Sequence, residues 1–113
     1  MNSEETIVAL SALANEQRLA IFRLLVAAGP GGKAAGEIAD ALETPASSLS
    51  FHLAHLNRAG LITQRREGRS LIYAADFAQM SALVGFLTEN CCGGQSCAPA
   101  SVPETQPFRR RKA

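Results

Sequence analysis

Apolar residues recur every three to four positions in five stretches of the 113-residue chain, which is the spacing of one buried stripe on an α-helix. The stripes span residues 7–14, 19–26, 38–42, 49–56 and 77–87. Between the last two, residues 61–66 and 69–74 have the pattern of two strands, with Glu67 and Gly68 as a two-residue turn. The pattern therefore predicts a mainly α-helical domain that carries one β-hairpin.

The fourth predicted helix has defined ends. Thr44 is of the type that caps a helix N-terminus, and Pro45 suits the first helical position because its missing N–H is not needed there. Gly60 suits the left-handed position that follows the last turn. The stripe predicted to be buried between these ends consists of Leu49, Leu53 and Leu56.

The opposite face of this helix is rich in hydroxyl groups and free of acids. It carries Ser47, Ser48, Ser50, Phe51, Ala54, His55 and Arg58. No acidic residue lies between positions 44 and 66, and the hairpin gathers Arg65, Arg66 and Arg69 around its turn. An acid-free helix followed by an arginine-tipped hairpin is typical of a winged helix-turn-helix domain that binds DNA. The alternative is a solvated helix beside an ordinary β-ribbon.

The other stripes predict the rest of this domain. Ser3 resembles the cap of a first helix, Asn15 resembles the cap of a second, and residues 29–32 predict a flexible glycine-rich loop. Residues 35–42 predict a short third helix, joined so closely to the fourth that the two form a helix-turn-helix pair. We interpret the apolar face of the last helix, with part of the first, as a homodimer interface; packing within one chain is the alternative.

Length and composition favour one small cytoplasmic protein. The longest uncharged apolar run, residues 82–87, is too short for a membrane span, and the first five residues contain no basic segment of a signal peptide. We therefore expect no membrane association. Cytoplasmic thiols stay reduced, so the three cysteines are interpreted as ligands or redox groups before a disulfide framework.

The charge of the chain is segregated by region. The formal net charge is only +1, but residues 1–43 hold six acids against three bases, whereas residues 44–73 hold four arginines against one glutamate. Each phosphate contact adds to the affinity for DNA, and one protomer has only a few basic residues. We therefore expect two protomers to bind one duplex.

We divide the chain into a winged-helix domain (1–90), a cysteine segment (91–97) and a disordered tail (98–113). The basic end of the tail either adds non-specific attraction to DNA or merely makes the protein more soluble.

Several runs of the sequence resemble the ArsR/SmtB family of dimeric winged-helix repressors, which release DNA on binding metal or metalloid ions. These runs are S-S-L-S-F-H-L-A-H-L, A-G-L-I, R-R-E-G-R and L-I-Y, and the resemblance covers about residues 7–87. It implies that Ser47, Ser48, Ser50 and Phe51 read bases. From their positions on the same helix face and on the wing, we expect His55 and the three wing arginines to be further DNA contacts. Phe51 departs from the polar residue that is common there, which favours contact with a thymine methyl over a hydrogen bond.

Three cysteines follow the last helix in the run N-C-C-G-G-Q-S-C. Adjacent Cys91 and Cys92 make an awkward disulfide, because neighbouring Cα atoms lie only ~3.8 Å apart. Gly93 and Gly94 allow the chain to fold back so that Cys97 approaches the pair. Three thiolates suit a soft ion that is satisfied by three sulfurs, whereas zinc normally takes four ligands.

The resemblance narrows the choice of ion. Family zinc sensors carry pairs of His and acidic residues on the last helix, which are missing here, and Ala34 and Gly36 stand where many arsenic and cadmium sensors have cysteines. What remains resembles the arsenic-responsive branch with a three-cysteine site after the last helix, which implies arsenic(III) or antimony(III) on Cys91, Cys92 and Cys97. Cadmium, lead, mercury, copper(I), thiol oxidation and a tail without function stay open.

The sequence thus predicts a DNA-binding repressor, not an enzyme, that metalloid binding releases from operator DNA. A small thiol-dependent metalloid reductase is the alternative from another class, but it needs an acid/base partner and no histidine lies near the cysteines. His52 and His55 are interpreted as packing or DNA-contacting side chains before ligands. A module that binds another protein through the wing fold is a third possibility.

Overall fold

The structure, a computed structural model, describes residues 1–94 as five α-helices and a three-stranded antiparallel sheet. In chain order the elements are α1 (Ser3–Leu13), α2 (Glu16–Ala28), β1 (Lys33–Ala34), α3 (Ala35–Leu42), α4 (Ala46–Arg58), β2 (Ile62–Glu67), β3 (Ser70–Ala75) and α5 (Phe77–Leu87), followed by a 3₁₀ turn at Cys91–Gly94. This architecture confirms the predicted helical domain with a hairpin wing. Cys97 and the predicted tail lie outside the described residues.

One apolar cluster joins all five helices to the base of the hairpin. Leu49, Leu53 and Leu56 of α4 lie inside it, as their spacing predicts. Burial of each such side chain contributes about 1.5–3 kcal/mol to folding. The cluster consists of Ala9, Ala12, Ile21, Phe22, Leu25, Ile38, Leu49, Leu53, Leu56, Leu61, Ile62, Ala75 and Leu83. The face of α4 that the sequence predicts to contact DNA therefore belongs to a helix whose opposite stripe is fixed in the core.

The helix starts differ from the sequence prediction at two places. At α1 the cap is Asn2, not Ser3, because Asn2 and Glu5 form a reciprocal capping box through their side chains and backbone amides. At α4 the cap is Pro45, with φ −59° and ψ 146°, and the predicted cap Thr44 is buried with its hydroxyl donating to the Leu42 carbonyl at 3.2 Å. The predicted cap of α2, Asn15, is confirmed.

The hairpin turn lies one residue later than predicted. Glu67 pairs with Ser70, so Gly68 and Arg69 form the two-residue turn, and Gly68 adopts φ +64°. Strand β1 was not predicted from the sequence, because two residues are too few to show alternation. It pairs Lys33 with Tyr73 on the outer edge of β3. The glycine-rich loop predicted as flexible is thereby anchored at its end.

Helix α1 packs through its small residues and leaves its large ones outside. Ala9 and Ala12 are buried, whereas Ile7 and Leu10, which the sequence placed on one apolar stripe, are 63% and 42% exposed. On α2, Leu19 is likewise exposed, although its spacing suggested the core. Small side chains allow close approach of two helices, which the apolar period alone does not reveal. Among the helices of residues 1–94, none has the length and apolarity that crossing a membrane requires.

Candidate nucleic-acid interface and cysteine pair

Helix α4 exposes the face that the sequence assigned to DNA. Ser47, Ser50 and Phe51 are exposed, and Ser48 and His55 are half-buried. The first turn of α4 contains no acidic residue and, within the part of the chain that is described, no side-chain cap. Its backbone N–H groups carry the positive end of the helix dipole, which favours a phosphate. This face therefore combines short hydroxyl groups, which the sequence predicts to contact bases, with a helix N-terminus suited to a DNA backbone.

Phe51 projects from the centre of this face. Its side chain is 61% exposed, and its ring makes edge-to-face contacts with His52 at 5.6 Å and with His55 at 6.5 Å between centroids. Two flanking imidazoles hold the phenyl ring in place on the surface. A large exposed apolar ring on a hydroxyl-rich face is suited to a thymine methyl group, and this role of Phe51 stays a prediction.

The two histidines of α4 occupy different environments. His52 is buried, with its ring hydrogen-bonded to Gln17 and Arg18 of α2, whereas His55 lies on the edge of the exposed face. Desolvation and then the charge of Arg18 lower the pKa of His52. Desolvation, followed by the charges of Arg18 and Arg58 and the proximity of His52, lowers the pKa of His55. The lowered pKa favours the neutral imidazole in both residues at neutral pH, and His52 uses both of its ring nitrogens in hydrogen bonds.

The three arginines of the wing lie in different environments. Arg65 donates from Nε to the Glu67 carboxylate at 2.8 Å and from Nη2 to the Gly31 carbonyl at 3.0 Å. Arg66 and Arg69 are exposed, and their side chains form no hydrogen bond or ion pair among residues 1–94. Arg65 therefore connects strand β2 to the loop before β1, while Arg66 and Arg69 present their charges to solvent.

Two of the three predicted ion ligands lie side by side beyond α5. The Sγ atoms of Cys91 and Cys92 are 3.7 Å apart on the surface, because Cys92 adopts a left-handed conformation with φ +57°. Neither is a free thiol in this structure. Two sulfurs that each lie ~2.3 Å from one tetrahedral ion are separated by about 3.8 Å. In their reduced form, the two cysteines would therefore have a spacing that suits a shared soft ion. Residues 1–94 contain no group of three His, Cys, Asp or Glu side chains suited to a metal.

Comparison with known proteins identifies the family. A model described as a helix-turn-helix domain matches residues 13–65. The transcriptional activator HlyU of Vibrio cholerae is 35% identical over 91 residues, which cover 80% of this chain and 82% of that protein. The chain belongs to the winged helix-turn-helix transcriptional regulators of the ArsR/HlyU type.

Further comparisons place the chain within this ArsR/HlyU type. The structure of HlyU has a TM-score of 0.65 and covers 80% of this chain and 96% of that one. Mb0332 of Mycobacterium bovis, described as a homodimeric winged helix-turn-helix DNA-binding domain, is 30% identical, with a TM-score of 0.61 and coverage of 81% and 85%. A putative arsenical resistance operon repressor ArsR of Halobacterium salinarum is 39% identical over 66 residues, 58% of this chain and 50% of that protein.

These relatives are named as regulators of transcription, which confirms the expectation that the chain is not an enzyme. The matched helix-turn-helix model includes α3 and α4, the two helices that the sequence predicted as the helix-turn-helix pair. The roles of the individual serines, arginines and cysteines stay predictions. The site also contains Gln17 and Arg18, which sequence reasoning missed; the position of His52 among Leu49, Leu53 and Leu56 was the signal that a buried imidazole needs partners.

Proposed function

We propose that the chain is a homodimeric repressor that binds operator DNA through α4 and the wing, and that trivalent arsenic or antimony on Cys91, Cys92 and Cys97 releases it. The observation that carries this proposal is the adjacent pair of sulfurs, 3.7 Å apart, four residues beyond the end of α5. On the same helix, Val84 and Leu87 are 54% and 57% exposed. A pair of cysteine sulfurs thus adjoins an exposed apolar helix face.

The DNA-binding part of the proposal rests on the exposed face of α4 and on the wing. Ser47, Ser48 and Ser50 supply short hydroxyls that reach base edges or phosphates from a helix in the major groove. Arg66 and Arg69 lie at the wing tip, where they reach the phosphate backbone or the minor groove. Base contacts from α4 supply specificity, while the wing contributes the salt-dependent part of the affinity.

The exposed aliphatic side chains of α1 and α5 support the proposed dimer. Helices α1 and α5 pack against each other, and both leave large aliphatic side chains in solvent. Exposed aliphatic side chains on two neighbouring helices are the kind of apolar surface that is expected at an interface between proteins. The solved structure of Mb0332 is described as homodimeric. The exposed aliphatic residues are Ile7, Val8, Leu10, Val84 and Leu87.

In this proposal, ion binding acts on the end of α5, the helix that we expect at the dimer interface. Closure of Cys91, Cys92 and Cys97 around one trivalent ion orders the segment after α5, and we propose that this shifts α5 and the spacing of the two reading helices. The effect requires the ion to bind the DNA-incompetent state more tightly, and by linkage DNA must weaken ion binding by the same factor. A change from 99:1 to 1:99 occupancy needs ~10⁴-fold discrimination, or ~5.5 kcal/mol.

Thiol oxidation is a second candidate for the signal. Neither Cys91 nor Cys92 is a free thiol in this structure, so the pair is compatible with an oxidised form. A solved structure of HlyU is described as its reduced form, at a TM-score of 0.64. In this version of the function, oxidation of the thiols replaces ion binding, and the same segment after α5 transmits the change.

Fluorescence anisotropy on labelled DNA from upstream of the chain's own gene tests both versions. We expect the reduced protein to bind tightly, arsenite to release it, and zinc to leave it bound. The triple variant Cys91→Ser, Cys92→Ser, Cys97→Ser should bind as tightly but ignore arsenite. Release by peroxide but not by arsenite would favour oxidation, and release of the triple variant by arsenite would show that the cysteines are not the site.

A further inference from the structure

His52 is a polar residue on the buried stripe of the reading helix. It is 8% exposed and lies between Leu49 and Leu53, whose side chains enter the core. Both of its ring nitrogens nevertheless have partners. Nε2 lies 2.7 Å from Oε1 of Gln17, and Nδ1 makes a longer contact of 3.4 Å with Nη1 of Arg18. A buried imidazole with two partners on another helix constrains the position of both helices.

The chemistry of these partners fixes the state of the imidazole. The Gln17 oxygen only accepts hydrogen bonds, so Nε2 of His52 must carry the proton that it donates. A guanidinium only donates, so Nδ1 must be the unprotonated acceptor for Arg18. The network therefore requires the neutral Nε2–H tautomer. A second proton on Nδ1 would point an N–H at a guanidinium and remove this acceptor.

Arg18 extends the network to a third helix. Its Nε donates to the Ala12 carbonyl at 2.7 Å, in the last turn of α1, where backbone carbonyls lack helical partners. The same guanidinium contacts His52 of α4. One side chain of α2 thus joins the C-terminal end of α1, the helix with the exposed Ile7 and Leu10, to the helix that faces DNA.

We propose that His52 is a positioning residue for DNA binding: in its neutral form it fastens α4 to Gln17 and Arg18, so that α4 keeps a fixed position relative to α1. The proposal rests on the assignment of α4 as the DNA-reading helix. His52 itself makes no contact with DNA, because its ring is buried behind Phe51 and turned toward α2. Protonation of His52 breaks the link to Arg18 and loosens the reading helix.

The environment of His52 gives this link a pH dependence. The charged groups around the ring are Arg18 from α2 and, along α4 itself, the titratable His55. Desolvation and the Arg18 charge lower the pKa of His52, so the unfolded chain binds this proton more readily than the folded one. The stabilising contribution is therefore complete above the ordinary value of about 6.5 and is lost as the pH falls through the folded pKa.

Substitutions at both ends of the link, compared in the anisotropy assay at pH 8, test the proposal. His52→Leu, which packs but cannot hydrogen-bond, should lower DNA affinity about three- to tenfold. His52→Asn keeps an acceptor close to the position of Nδ1 and should bind within about twofold of the wild type. Arg18→Met should match His52→Leu, and the double variant should lose no more than either single one. Arg23→Met removes the same charge from an exposed site on α2 and serves as the control.

Two further readouts separate positioning from a general packing role. In ¹H–¹⁵N spectra, His52 should show the Nε2–H tautomer at pH 8. Between pH 6.5 and 5 the wild type should lose DNA affinity relative to His52→Asn. His55 titrates in both proteins, so its effect does not contribute to the difference between them. The proposal is overturned by an Nδ1–H tautomer, by parallel pH profiles, or by additive losses in the double variant. Failure of the wild type to bind DNA would refute the function as well, whereas normal binding by His52→Leu would refute the positioning role alone.

Discussion

At the scale of single residues, three arginines of one wing differ in what they contact. Arg65 binds the Glu67 carboxylate and the Gly31 carbonyl, while Arg66 and Arg69 lie exposed at the tip. Arg65 and Glu67 are 46% and 57% exposed, so their ion pair contributes at most about 1 kcal/mol to stability. Its structural effect is to join the wing to the loop before β1. Arg65 is therefore less available to a phosphate than its neighbours.

We predict that the wing arginines differ in the salt dependence of DNA binding. Arg66→Gln and Arg69→Gln should each reduce the slope of log affinity against log salt by about one per protomer, because each removes a phosphate contact. Arg65→Gln should weaken binding with little change in slope, since it loosens the wing. The measurement is fluorescence anisotropy of labelled DNA from about 50 to 200 mM salt. Over this range a protein with about 6–10 phosphate contacts loses about 10³–10⁵-fold in affinity. An equal loss of slope in all three variants would show that Arg65 also contacts phosphate.

At the scale of elements, the helices and their ends are predicted best where several residues indicate the same structure. The stripe of α4, the Asn15 cap of α2 and the Gly60 end of α4 were all predicted, because each rests on local spacing or on one backbone requirement. The start of α4 was wrong by one residue, since a proline before a helix serves equally as cap or as first residue. Only the burial of Thr44 against α3 decides between them.

The elements that sequence reasoning missed depend on distant parts of the chain. Strand β1 exists because Lys33 and Ala34 meet the edge of β3, and nothing within the two residues signals a strand. The outward direction of Ile7 on α1 depends on which helices Ala9 and Ala12 can approach. The exposed side of α4 could be predicted from the local pattern alone, whereas the contact between Arg18 and His52 joins residues 34 positions apart.

Gly32 provides a test of how closely β1 must approach the sheet. It adopts φ +71°, and a Cβ there would lie 2.3 Å from the Tyr73 carbonyl oxygen, so a substitution must displace backbone. Gly32→Ala should therefore cost about 2 kcal/mol or more of unfolding free energy, measured in urea. Gly31→Ala is the matched control, since nothing lies within 4 Å of its Cβ and its carbonyl still accepts from Arg65. Equal losses in the two variants would contradict the close approach.

At the scale of the whole molecule, the exposed face of α4 and the pair Cys91 and Cys92 are joined through the first and last helices. Helix α5 ends at Leu87, and the Cys91–Gly94 turn follows within a few residues. Helix α1 contacts α5 through its packing and α4 through Arg18 and His52. In the proposed function, a change at Cys91 and Cys92 reaches α4 through these two helix contacts when α1 and α5 are held by a second copy of the chain.

The requirement for a second copy leads to a prediction about assembly. Val84 is 54% exposed in one chain, so Val84→Glu should change the folding stability of a monomer by no more than about 0.5 kcal/mol. In a two-fold symmetric dimer the same change places two carboxylates in an apolar interface, which should weaken dimerisation about a hundredfold or more. Sedimentation equilibrium measures this constant, and DNA affinity should fall with it because each protomer alone contacts one half-site. Ala41→Glu adds the same charge to an exposed site on α3 and should leave the dimer intact. A folded Val84→Glu protein that dimerises like the wild type would place the interface elsewhere and contradict a role for α5 in assembly.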